Sequence, residues 1–86
     1  MSATGEDEEE REGLSRLVRQ LREAIGSSLR AGRPRLAVAL DSARDQLELL
    51  MAQEYPRRTR LAIARARAEL ALGLWDDRRA APLARE

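Results

Sequence analysis

Two pairs of carboxylates are the side chains in this sequence whose spacing suggests a metal site or acid–base catalysis. Asp41 and Asp45 are four residues apart, and Asp76 and Asp77 are adjacent. Carboxylate oxygens bind Ca²⁺ and Mg²⁺, and well-placed carboxyl groups act as general acids and bases. However, Arg44 lies beside the first pair, and the second pair is typical of a helix N-cap. We therefore predict structural roles for both pairs, with no metal site and no catalytic residue.

The chain lacks the other side chains on which most enzyme chemistry depends. It contains no His, no Cys and no Lys. There is therefore no imidazole base, no thiolate and no amine for a Schiff base, and the phosphate-binding loop that ends in Lys cannot occur. These absences predict a protein that is not an enzyme and that binds no cofactor and no small-molecule substrate.

Apolar residues recur at three- and four-residue steps in three segments, which predicts an all-α fold of three antiparallel helices. Gly32 and Pro34 separate the first two helices, and Pro56 begins the third, because Gly often follows a helix and Pro fits its first turn. We predict helices at about 13–31, 34–54 and 56–73 within a domain of residues 13–81. Residues 82–86 are predicted to form a frayed end.

The third helix is predicted to have apolar residues on two opposite sides, at about 100° of rotation per residue. One side contains Leu61, Ala64, Ala68, Leu72 and Trp75, and the other contains Ile63, Ala66, Leu70 and Leu74. Such a helix needs two neighbours, either both within the chain or one in a second chain. Because a chain of 86 residues with no Phe has a small core, we favour a second chain.

The residues predicted to contact that partner are Ile63, Leu70, Leu74 and Trp75. The partner is predicted to be first of all a second copy of the same chain, so that the protein self-associates. For Trp75, which follows Gly73 closely, a place in the core of the single chain is the alternative. Trp is favoured at binding surfaces but also closes the cores of small domains.

Charge is divided unevenly along the chain, although the overall net charge is only +1. Residues 1–12 contain six acidic residues against Arg11, and residues 55–75 contain five Arg against Glu69. We predict that residues 1–12 form a flexible, disordered acidic tail, which is either simply solvated or covers the basic helix of the same chain or of a neighbouring one. Arg57, Arg60 and Arg67 share one ridge of the third helix and are the candidate anion-binding residues.

No apolar segment approaches the roughly 20 residues that a membrane span requires. Together with the absence of Cys, this leads us to expect a cytoplasmic protein that does not enter the membrane. The function that fits these features is a non-enzymatic adaptor or assembly module that binds protein, as a homo-oligomer or as a subunit of a larger complex. The alternative is a nucleic-acid accessory protein that contacts phosphates through the Arg ridge.

Overall fold

A computed structural model describes residues 3–80 of the chain, with side chains over residues 8–76. It contains three helices, α1 (Ala3–Arg30), α2 (Pro34–Met51) and α3 (Arg58–Ala80), and each of them packs on the other two. The predicted all-α fold is thereby confirmed over the described residues. The molecule measures 52 × 20 × 19 Å, because the 28 residues of α1 extend for about 42 Å at 1.5 Å per residue.

The core is built from Leu side chains of α1 and α2 and from Ala side chains of α3. Leu21, Leu40 and Leu47 are fully buried, whereas the buried apolar residues of α3 are Ala64, Ala68 and Ala71. Small side chains allow helix α3 to lie close to the Leu residues, but they bury little apolar area themselves. The larger apolar side chains of α3 that pack against the core, Leu61, Leu72 and Trp75, are only partly buried.

The turn between α1 and α2 contains Gly32 after the first helix and Pro34 at the start of the second, as the sequence predicts. Gly32 has φ +73°, a conformation that costs Gly little and other residues more. Its N–H donates to the carbonyl of Leu29 at 3.1 Å, and the N–H of Arg33 donates to the carbonyl of Ser28 at 2.8 Å. This is the Schellman arrangement, which pairs carbonyls that the end of a helix leaves without partners. Pro34 then occupies the first position of α2.

Four helix ends differ from the predicted ones by two residues or more. Helix α1 begins at Ala3 rather than near residue 13, and α2 ends at Met51 rather than near residue 54. Acidic residues stabilise the N-terminal turns of a helix, which is the physical reason for the longer α1. The segment 3–12 is thus helical in the structure, and its flexibility stays a prediction.

Helix α3 begins at Arg58 and continues to Ala80, past the predicted end at Gly73. Leu72, which precedes this glycine, and Trp75, which follows it, both pack against the core. Their burial outweighs the cost of about 1 kcal/mol that Gly adds within a helix. The prediction that Asp76 caps a separate final turn is therefore wrong, because Asp76 lies inside α3. The predicted frayed end at 82–86 lies outside the described residues.

Ser28 is a polar residue in an otherwise apolar core, and its replacement gives a test of the packing. Ser28 is 1% exposed, and no group among the described residues forms a hydrogen bond with its hydroxyl oxygen. A buried hydroxyl that lacks a partner loses its hydration without compensation. We therefore expect Ser28→Ala to raise the free energy of unfolding by about 1 kcal/mol, measured by urea denaturation. A matched Ser15→Ala change at an exposed position of α1 corrects for helix propensity, and an equal gain in both variants would contradict the prediction.

Candidate partner-binding surface

The carboxylates of α2 are engaged in ion pairs. The guanidinium group of Arg44 lies 2.7 Å from a carboxylate oxygen of Asp41 and 3.3 Å from one of Asp45. Arg44 also approaches Glu48 at 3.7 Å, and Glu48 pairs with Arg22 of α1 at 2.6 Å. This network links α1 to α2 across the surface, which is a structural role for the carboxylates. Within the described part of the chain, no group of three or more potential metal ligands comes together.

The two apolar sides of α3 have different surroundings. Ala64 and Ala68 are buried, and Leu61 and Leu72 are partly buried against the core. On the opposite side, Ile63, Leu70 and Leu74 are 49%, 70% and 55% exposed. We call these three residues the outer face of α3. Helix α3 therefore packs within the chain through one apolar side and leaves the other open.

The three residues of the outer face lie in one line along the helix. Steps of seven and four residues separate Ile63, Leu70 and Leu74, so their side chains point within about 40° of one another. From Ile63 to Leu74 the stripe extends for about 16 Å at 1.5 Å per residue. Three large apolar side chains on three turns of a helix have the spacing that helical partners contact.

A groove between α2 and α3 adjoins the outer face at Ile63. Its volume is about 330 Å³, and it is lined by Gln46, Leu49, Leu50 and Gln53 of α2 and by Arg60, Ile63, Ala64 and Arg67 of α3. We call this the α2–α3 groove. Leu49 is 67% exposed within it, which the sequence analysis missed. The signal was available, since Leu49 stands outside the seam of α2 that contains Leu47 and Leu50.

The three candidate anion-binding arginines are all exposed but do not form one helical ridge. Arg57 precedes the first residue of α3, whereas Arg60 and Arg67 line the α2–α3 groove. The Arg67 guanidinium donates a hydrogen bond to the side-chain carbonyl of Gln46 at 3.2 Å. This contact holds Arg67 at the edge of the groove. The guanidinium group has five N–H donors, so most of them remain for other acceptors.

Trp75 lies apart from the other three candidate partner-binding residues. Its side chain is partly buried and packs against the apolar core. In helical projection, Trp75 falls on the side of α3 that contains Ala64 and Ala68. The structure thus brings Ile63, Leu70 and Leu74 together on one surface and places Trp75 with the core.

On the opposite edge of α3, Arg65 pairs with Glu69 at 3.3 Å. Nearby, the acidic start of α1 approaches α3, since Glu9, Glu10, Arg58 and Arg65 line one shallow cavity. The acidic segment is therefore next to the Arg58 and Arg65 edge, while Arg60 and Arg67 belong to the α2–α3 groove. Helical periodicity separates these two edges in the sequence, but it does not indicate which of them the acidic segment approaches.

None of the helices in the described residues combines the length and the apolar character that crossing a bilayer would take. No known protein family, curated protein or solved structure matches the chain. The surface described above is therefore the basis for a functional interpretation.

Proposed function

We propose that this chain is a non-enzymatic helical module that binds protein through the outer face of α3. The partner is either a second copy, as the sequence first suggested, or another subunit of a larger complex. The observation that carries this proposal is the exposure of Ile63, Leu70 and Leu74 in one line on a single helix. Single exposed apolar residues are common, but a contiguous row on a small helical protein is typical of interaction sites.

The proposal includes an antiparallel arrangement of neighbouring helices, which makes the outer face a rigid platform. Two cross-helix contacts support it. Arg22 of α1 pairs with Glu48 of α2. Val18, which precedes Arg22, lines a cavity with Met51, which follows Glu48, so the two chain directions are opposite. Gln46 of α2 likewise accepts a hydrogen bond from Arg67 of α3. Gln53, which follows Gln46, lines the groove with Arg60, which precedes Arg67, so α2 and α3 also have opposite directions.

Burial of the outer face would add stabilisation that the single chain lacks. A fully buried Leu or Ile side chain contributes about 2 kcal/mol relative to an exposed one. Three such residues are too few for a stable interface, because stable interfaces bury about 1,200–2,000 Å² in total. The partner must therefore also contact the adjoining α2–α3 groove, where Leu49 adds a fourth exposed apolar side chain.

The mass of the protein in solution tests this function. Sedimentation equilibrium of the purified chain, whose monomer mass is 9.7 kDa, measures self-association. Gel filtration of an extract from the native host, with an antibody against the chain, measures its incorporation into a larger complex. We expect a mass above that of the monomer in at least one of the two experiments. A monomer in both would refute the proposed function.

A further inference from the structure

The charges around the α2–α3 groove are of one sign. Among the described residues that line the groove, both charged side chains are arginines, Arg60 and Arg67, and the polar ones are the amides of Gln46 and Gln53. Neither arginine has an ion-pair partner among the salt bridges of the described side chains. A partner that fits this groove must therefore bring apolar side chains and negative charge together.

Packing of α3 against α3 of a second copy fits these two arginines poorly. In a two-fold antiparallel pair of α3 helices, symmetry places each edge of one helix against the same edge of the other. The edge with Arg60 and Arg67 would then face the same edge of the second copy, and like charges across an interface are unfavourable. In a parallel pair, the Arg edge would face the edge that contains Arg65 and Glu69, where the carboxylate of Glu69 is already paired with Arg65.

We infer that the α2–α3 groove and the outer face of α3 together bind an amphipathic helix of another protein that has acidic residues along one edge. This inference rests on the proposed function and specifies the partner. The apolar side of the bound helix contacts Leu49, Ile63 and Leu70. Its acidic edge pairs with Arg60 and Arg67, and bidentate pairs between guanidinium and carboxylate are among the stronger polar contacts in proteins.

Two structural features support a helix as the bound segment. The outer face spans about 16 Å along α3, which is the length of three turns of a partner helix with apolar residues at every third or fourth position. The hydrogen bond from Arg67 to Gln46 also orders the guanidinium group before binding, which reduces the entropy lost on association. A nucleic acid fits this surface less well, because the exposed Leu49, Ile63 and Leu70 have no favourable contact with phosphates.

A pair of synthetic peptides tests the inference. Both are amphipathic helices of about 18 residues, or five turns, with Leu along one side. One has Glu along the edge of that side, and the other has Lys at the same positions. Binding to the full chain is measured by isothermal titration calorimetry at low salt and at physiological salt. We expect the Glu peptide to bind at least about tenfold more tightly, with a smaller difference at the higher salt concentration.

Charge reversal in the protein provides the matched variants. The double variant Arg60→Glu/Arg67→Glu is expected to reverse the preference, so that the Lys peptide binds more tightly. The control Arg58→Glu/Arg65→Glu alters the other edge of α3 and is expected to keep the preference for Glu. Circular dichroism checks that each variant retains its helix content.

Several results would overturn the inference. Equal binding of the two peptides, no binding of either, or no reversal by Arg60→Glu/Arg67→Glu would each do so. Tighter binding of a DNA duplex than of the Glu peptide would indicate the nucleic-acid alternative instead. If the chain forms a homo-oligomer through Leu70 and excludes the peptides, this inference fails and the proposed function stands. If sedimentation, gel filtration of the host extract and peptide titration all show no association, both the inference and the proposed function fail.

Discussion

The Leu47→Ala variant is expected to lose about 3 kcal/mol of its free energy of unfolding. Leu47 is fully buried in the core between the three helices. Removal of a buried Leu side chain loses its transfer free energy and leaves a cavity, with a cost of about 2–5 kcal/mol. Because small domains have total stabilities of only about 5–15 kcal/mol, this loss would remove a large fraction of the stability of the fold.

Leu49→Ala is the matched control for this substitution, because it removes the same atoms two residues away in the same helix. Leu49 is 67% exposed, so its replacement is expected to change the free energy of unfolding by less than about 0.5 kcal/mol. Urea denaturation followed by circular dichroism at 222 nm gives both values. Equal destabilisation by the two substitutions would show that α2 does not pack as described here.

The Leu70→Glu variant is expected to lose binding while it keeps its fold. Leu70 is 70% exposed at the centre of the outer face, so a carboxylate there remains hydrated in the free protein. In a complex the same carboxylate would be buried without a partner, and it would replace a central apolar contact. We expect a loss of at least about 2 kcal/mol, or roughly 30-fold in affinity, for the Glu peptide or for any complex found in the native host.

The contrast with Leu72→Glu separates binding from folding. Leu72 is two residues along the helix but packs against the core. A carboxylate at this position is expected to lower the free energy of unfolding by about 2 kcal/mol. Circular dichroism and sedimentation should therefore show a folded but non-binding Leu70→Glu variant and a destabilised Leu72→Glu variant. An unfolded Leu70→Glu variant, or one that binds with unchanged affinity, would be inconsistent with an open outer face.

The surface residues were predictable to different extents. The stripe of Ile63, Leu70 and Leu74 was predicted, because residues at steps of seven and four share a side of any helix. The exposure of Leu49 could be predicted from its place outside the buried seam of α2, but no pattern within α3 indicates which residues of α2 adjoin it. Arg57 was grouped with Arg60 and Arg67 because the predicted third helix began at Pro56. In the structure Arg57 precedes α3 and is absent from the groove.

Local sequence patterns predicted the three helices, the turn at Gly32 and the two apolar sides of α3. These features depend on local rules, since backbone conformation and helical periodicity require only near neighbours in the chain. Tertiary structure decided which side of α3 became the buried one. The two sides are similarly apolar, but the side with Ala64, Ala68 and Ala71 permits close approach to Leu40 and Leu47. Tertiary packing also determined that α3 continues past Gly73, because the burial of Leu72 and Trp75 outweighs the local helix-breaking tendency of Gly.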